Sequence, residues 1–257
     1  MQVNRISNIS CNNQPNFGMY DRVVYNKYSH RYMYNTTTWF ARSDLNWVKF
    51  IDFVINKYKN VDKVNTIVHA CSNGEEAYTL TLGLLSKKNT SKFFPISARD
   101  IDKENITQAV KGVFELKLKS ELEGLLSLIN EPLETYFKKT LKPDKMADLF
   151  SVSKQSNIAS KIILEPKDNL RSVINFRQSD IFRDYRDIPS ENTILMLRNV
   201  WPYLGGRRDI LVKDLANHLK SSSTLVIGMY DRTRCVDRKL LAAGFKKTPL
   251  NYVFEKA

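Results

Sequence analysis

Four short clusters of polar residues in this chain are typed and spaced as a binding cleft requires. The first is Cys71-Ser72-Asn73-Gly74-Glu75-Glu76, small residues and a glycine ahead of two carboxylates. Such a turn at the start of a helix lets backbone N–H groups approach a ligand closely. The second is Asp100-Ile101-Asp102. A carboxylate there can accept both hydroxyls of a ribose, and either Asp can cap a following helix, so Asp102 is expected to cap and Asp100 to bind. The third is Asp180-Ile181, an acceptor for an exocyclic amine beside an apolar residue able to cover a base. The fourth is Arg198-Asn199-Val200, with Tyr203 shortly after. Their order along the chain matches the recognition of an adenosine.

Each cluster follows an apolar run that reads as a strand. Residues 66–70, 93–98, 173–176 and 193–197 are the runs, with a further strand expected at 224–229 and a last one at 252–254. Helices are expected over 44–58 (capped by Ser43 or Asp44), 75–87, 103–113, 208–219 and 237–243. The middle, 116–129 and 133–139, reads as charged helix. Alternating strands and helices predict an α/β fold, a Rossmann-like, mostly parallel sheet of seven strands with helices on both faces. In such sheets ligands bind outside the carboxyl ends of the strands, where the four clusters fall.

Composition narrows the class. No stretch of the 257 residues approaches the ~20 apolar positions of a membrane-spanning helix. Residues 1–18 are polar and Asn-rich with no apolar core, so no secretory signal is read and the cytoplasm is the expected location. Cys11, Cys71 and Cys235 are far apart and odd in number, which argues against a disulfide framework or a zinc site. His30, His69 and His218 lack metal-ligand spacing, and no metal is expected. The net charge of +13 fits nucleic acid, an anionic surface, an acidic protein partner, or simply a solvated lysine-rich exterior.

The clusters also carry a resemblance. The 71–78 segment, Cys-Ser-Asn-Gly-Glu-Glu-Ala-Tyr, resembles the CSTGEEPYS motif of the chemotaxis receptor glutamate methyltransferases, the CheR type. Ala98-Arg99-Asp100-Ile101-Asp102 is similar to their ATDID, and the 197–204 segment resembles their CRNVLIYF. Thr38-Trp39-Phe40-Ala41-Arg42 resembles their TxFFR. The resemblance implies S-adenosylmethionine as cofactor and methyl transfer to a glutamate carboxylate of an acidic protein, a chemoreceptor or another signalling protein. By position it implies cofactor contacts at Thr36, Thr38, Arg42, Ala70, Glu76, Asp100, Asp180, Ile181, Arg198 and Asn199, with Arg42 and Tyr203 as the catalytic pair nearest the methyl.

Departures accompany it. Ala41 replaces a Phe of the family pattern, Ala77 a Pro, Asp180 an Asn and Thr36 an Asn, while Gly228-Met229-Tyr230-Asp231 stands where a GxSE-like ending is usual. A Tyr- and Asn-rich lead, residues 1–36, stands where the family has a helical domain. Residues 37–257 form the expected methyltransferase domain, with an insertion at about 112–172 able to hold the family's small β-subdomain. Two alternatives keep the cofactor. One is a nucleic-acid methyltransferase, favoured by charge but lacking an Asn-Pro-Pro-Tyr-like motif. The other is a module that binds S-adenosylmethionine without turnover. Oligomeric state is not legible.

Overall fold

A computed structural model describes residues 24–26, 31–33, 38–116, 118–143, 160–232 and 235–257. In chain order the elements are β1 (Val24–Asn26), β2 (Arg31–Met33), α1 (Trp47–Lys57), β3 (Asn65–His69), α2 (Glu75–Leu85), β4 (Ile96–Asp100) and α3 (Lys103–Lys111). Then come β5 (Phe114–Glu115), α4 (Lys119–Leu126), β6 (Phe137–Pro143), β7 (Ser160–Pro166), α5 (Asp168–Arg171), β8 (Ile174–Gln178), α6 (Ile181–Asp184) and β9 (Thr193–Met196). The chain ends with α7 (Arg208–His218), β10 (Thr224–Val226), α8 (Met229–Arg232), α9 (Val236–Ala242), β11 (Phe245–Lys247) and β12 (Val253–Lys256).

Seven strands form one sheet in the order β11-β12-β10-β9-β3-β4-β8. The β10–β9, β9–β3, β3–β4 and β4–β8 pairs are parallel, and β12 runs antiparallel between β10 and β11. The central strands are buried on both faces, which is why Ile67-Val68 and Ile194-Leu195-Met196 read as unbroken apolar runs. From β3 the chain moves one way to β4 and β8, then crosses to β9 and β10 on the other side. The order reverses between β3 and β9, so their carboxyl ends open a crevice at a topological switch point.

The helices pack where their apolar stripes require. In α1, Trp47, Phe50, Ile51 and Val54 are buried at helical spacing. Asn46 caps this helix by accepting from Lys49 N at 3.1 Å. The expectation that Ser43 or Asp44 caps it is corrected, because Asp44 is drawn into an ion pair described below. Asp102 caps α3 as expected, accepting from Glu104 N at 2.8 Å.

Three further differences from the sequence reading have physical causes. The expected helix over 133–139 is a short 3-10 turn followed by β6, which pairs along its length with β7. With β5 these strands make a three-stranded antiparallel sheet inside the segment expected to hold an insertion. The strand expected to reach Met229 stops at Val226, because Asp231 accepts from Gly228 N at 2.6 Å and turns the chain into α8. Cys71 is a buried free thiol, whereas Cys235 is disulfide-bonded, contrary to the cysteine-spacing argument; its partner lies outside the described residues. So do Thr36 and most of the Tyr-rich lead, within which only the antiparallel β1–β2 ribbon is described.

Candidate active site

A cleft with about 1060 Å³ of empty volume opens at the carboxyl ends of the parallel strands. Thr38, Arg42, Ala70, Glu76, Asp100, Asp180, Ile181, Arg198, Asn199 and Tyr203 all line it. These are all the expected site residues except Thr36, which is outside the described residues. They arrive from five separate strand ends or loops, so sequence distance gives no hint of the gathering beyond the strand-end rule.

The β3–α2 turn is shaped by its backbone. Ala70, Ser72 and Gly74 all have positive φ, at 58°, 50° and 99°. A Cβ at Gly74 would lie 3.0 Å from that of Ala109, so glycine serves both the dihedral and the close approach there. Ser72 N donates to Asp100 Oδ2 at 2.8 Å, tying the β3 end to the β4 end. Asp100 Oδ1 accepts from Asp102 N at 2.9 Å and Asn105 Nδ2 at 3.4 Å. A carboxylate offers about four lone-pair sites. Oδ2 therefore keeps room for one more donor, where the sequence reading assigns two. Burial pushes the Asp100 carboxyl above its usual range, and the N–H bonds work against that shift.

Asp180 has a second task that sequence reasoning misses: it caps α6, accepting from Phe182 N at 3.0 Å. Ile181 beside it is buried against the cleft. His69 also lines the cleft, and nothing in its sequence context marks it as a site residue. Burial holds its imidazole down at about 3, so it is neutral, and its Nδ1 accepts from Ala70 N at 3.0 Å.

On the other side, Arg198 is buried between two carboxylates. It pairs with Asp44, and its Nη1 reaches Glu76 Oε2 at 2.6 Å. Burial raises the Glu76 carboxyl, with Arg198 opposing. Asp44 also accepts from Met229 N at 3.1 Å and Asn199 Nδ2 at 3.4 Å, so it knots three segments together. Asn199 is left-handed, at φ 58°. Its N–H donates to Asp231 at 2.7 Å, as does Trp201 N at 3.1 Å. Asp231 is fully buried, and burial pushes it up to about 7 against these N–H bonds. A side chain at Gly228 would overlap that of Asn199, so only glycine fits this crossing.

Arg42 is held by aromatic faces. Its guanidinium lies 4.3 Å from the Trp39 ring centroid and 5.3 Å from that of Tyr230. The segment bearing it is tied down by Phe40 N donating to Glu121 and Ala41 N donating to Thr79 Oγ1, both at 3.1 Å. Tyr203 faces the same cleft from the 3-10 turn after β9, residues Trp201–Arg207.

A doubly wound sheet in this order, with carboxylates at the β4 and β8 ends and a small-residue turn after β3, defines the class of S-adenosylmethionine-dependent methyltransferases. Residues 35–241 match the model of the CheR methyltransferase SAM-binding domain, and the chain belongs to that family. Among solved structures, the [4+2]-cyclase SpnF is similar at 11% identity and a TM-score of 0.39, with 77% of this chain and 58% of that chain covered. Magnesium protoporphyrin IX methyltransferase from Synechocystis PCC 6803, solved with bound SAM, is similar at 9% identity and a TM-score of 0.38, over 82% of this chain and 78% of that one. The methyltransferase domain of bacterial CtHen1-C is similar at 12% identity and a TM-score of 0.39, over 81% of this chain and 97% of that one. A search of curated proteins found no match.

The residues fit S-adenosylmethionine. Asp100 lines the cleft with one acceptor position left over after Ser72 N, Asp102 N and Asn105 Nδ2 have donated to it, and Arg198 Nε is buried with no partner among the described residues. Ala70, Cys71 and Ser72 of the β3–α2 turn line the cleft.

Proposed function

We propose that this chain transfers the methyl group of S-adenosylmethionine to an acceptor carboxylate, the side chain of a glutamate in an acidic protein. The observation that carries the reading is the meeting of Arg42 and Tyr203 in one cleft with Asp100 and Asp180. S-adenosylmethionine supplies the electrophile: a carboxylate oxygen forms the new O–CH3 bond as the S–CH3 bond breaks and its electron pair stays on sulfur, leaving an ester and a thioether. The acceptor needs no deprotonation, because a glutamate carboxylate is ionised at neutral pH. That suits a cleft whose histidine, His69, is already engaged and is a weak base.

The protein's part is position. Asp100 would hold the ribose, and Asp180 with Ile181 the adenine. Glu76, fixed by Arg198, would face the amino-acid end of the cofactor. With Trp39 and Tyr230 stacked on Arg42, its N–H edge is what remains to orient a carboxylate in two-pronged fashion. Tyr203 would hydrogen-bond the acceptor. The net charge of +13 favours an acidic partner, a chemoreceptor or another signalling protein, met in the cytoplasm. Among the described residues no helix is long and apolar enough to cross a membrane.

The test is transfer of labelled methyl from S-adenosylmethionine to proteins of the host lysate, followed by mild alkali. Label released by base, as carboxyl methyl esters are, is the expected result. Base-stable label, or label carried by nucleic acid, overturns the carboxylate reading.

A further inference from the structure

The residue before α7 crosses the cleft. Arg207 ends the 3-10 turn that follows β9, yet its guanidinium lies 4.0 Å from the ring centroid of Phe182, in the helix that follows β8. In the sheet, β9 and β8 are separated by β3 and β4. That is three strand spacings, roughly 14 Å at about 4.8 Å each. Both residues line the cleft. The pair therefore bridges the two sides of the switch point.

The chain before Arg207 is built to permit this. Gly205 has φ 56° and ψ −137°, a conformation open essentially to glycine alone, and it breaks the helical turn between Tyr203 and Arg207. A Cβ at Gly205 or Gly206 would meet nothing within 4 Å, so crowding is not the reason for either glycine. Arg207 is itself exposed and makes its contact through a ring face. Cation–π contacts at exposed sites are weak, so this one opens and recloses without cost to the fold.

We propose that Arg207 is a binding residue for the nucleobase of the cofactor, swinging from Phe182 to stack on the base and close the cleft over it. The inference rests on the reading of the cleft as an S-adenosylmethionine site. Asp180 and Ile181, beside Phe182, are the groups that would hold the adenine, so the base would lie under Arg207. A guanidinium stacks on an aromatic face and stabilises it by its charge, whatever the identity of the base. Arg207 thus adds retention, while Asp180 adds selectivity. The contact depends on the base alone, so it is indifferent to the charge on sulfur.

The experiment is calorimetry with two ligands, S-adenosylhomocysteine and 5′-methylthioadenosine, on the wild type and Arg207→Ala. Melting temperature is recorded for both chains, and it should not move because the side chain is exposed. Arg207→Ala is expected to weaken both ligands by the same factor, on the order of fivefold, with faster dissociation in stopped flow. Unchanged affinity for both ligands overturns the proposal. Weakening of S-adenosylhomocysteine alone also overturns it, since that places Arg207 at the amino-acid end. Absence of binding by the wild type would instead remove the cofactor reading on which the proposal stands.

Discussion

On the β4–β8 side of the cleft, Asp100 and Asp180 are fixed by backbone N–H groups within a few residues of each and, for Asp100, by Ser72 N at the end of the neighbouring strand β3. On the β9–β10 side the fixing is done by side chains from remote segments. Arg198 is held by Asp44, 154 positions away, and by Glu76, 122 positions away; the Arg42 guanidinium, over its near neighbour Trp39, is also met by Tyr230 from the far part of the chain. The first side is a local property of two strand ends. The second exists only once the whole sheet has closed. The geometry of one side of the cleft is thus built from short-range backbone contacts, whereas that of the other depends on long-range side-chain pairs that single substitutions can retune.

Arg198→Ala should produce the largest effect. It leaves Asp44 and Glu76 buried without their counter-charge, a loss of about 3–5 kcal/mol in denaturant unfolding. A loss below about 1 kcal/mol would mean that the β9–β10 side is not held by this knot. The next effect is one of pH. Asp231 holds the turn leading to Tyr203, and its folded-state carboxyl is raised to about 7 from 3.8. Between those values the folded chain keeps a proton that the unfolded chain releases. The group's contribution to stability is therefore largest below about pH 4 and is lost as pH rises to 7, by on the order of 4 kcal/mol at most. The wild-type melting temperature should fall relative to that of Asp231→Asn as pH rises through that window, and parallel curves would refute the assignment. The smallest effects separate the two sides directly. Asp100→Ala should cost about 1.5–3 kcal/mol of S-adenosylhomocysteine affinity. Tyr203→Phe should leave that affinity unchanged and lower single-turnover transfer about tenfold, the sign of a contact made in the transition state. If Tyr203→Phe instead weakens binding, the two sides do not divide the work.

The same contrast explains what can be read from the sequence. The parallel strands and the residues just after them are legible, because a strand buried on both faces is an apolar run and its carboxyl end is where such sheets bind ligands. Asp102 as the α3 cap is legible for the same local reason. Asp44 is not: it looks like a cap, and only the folded chain brings Arg198 to it. Nor is the stacking of Trp39 and Tyr230 on Arg42, since aromatic neighbours leave no periodic trace. The β6 strand is easily misread because Lys138, Lys139 and Lys142 look like the face of a solvated helix. Lysines suit the outer strand of a small sheet as well, where they discourage pairing with another chain.

The left-handed residues at the ends of β3 and β9 bear on how this site can change over time. Ala70, Ser72 and Asn199 stand on both sides of the switch point with φ between 50° and 58°. Non-glycine residues tolerate that region poorly, and β-branched ones worst of all. Drift at these three positions is therefore channelled toward glycine, asparagine and other small polar residues, whatever the acceptor outside. New specificities would have to come from the rim, from residues such as Trp39 and Tyr230, while the floor of the cleft keeps a nearly fixed alphabet.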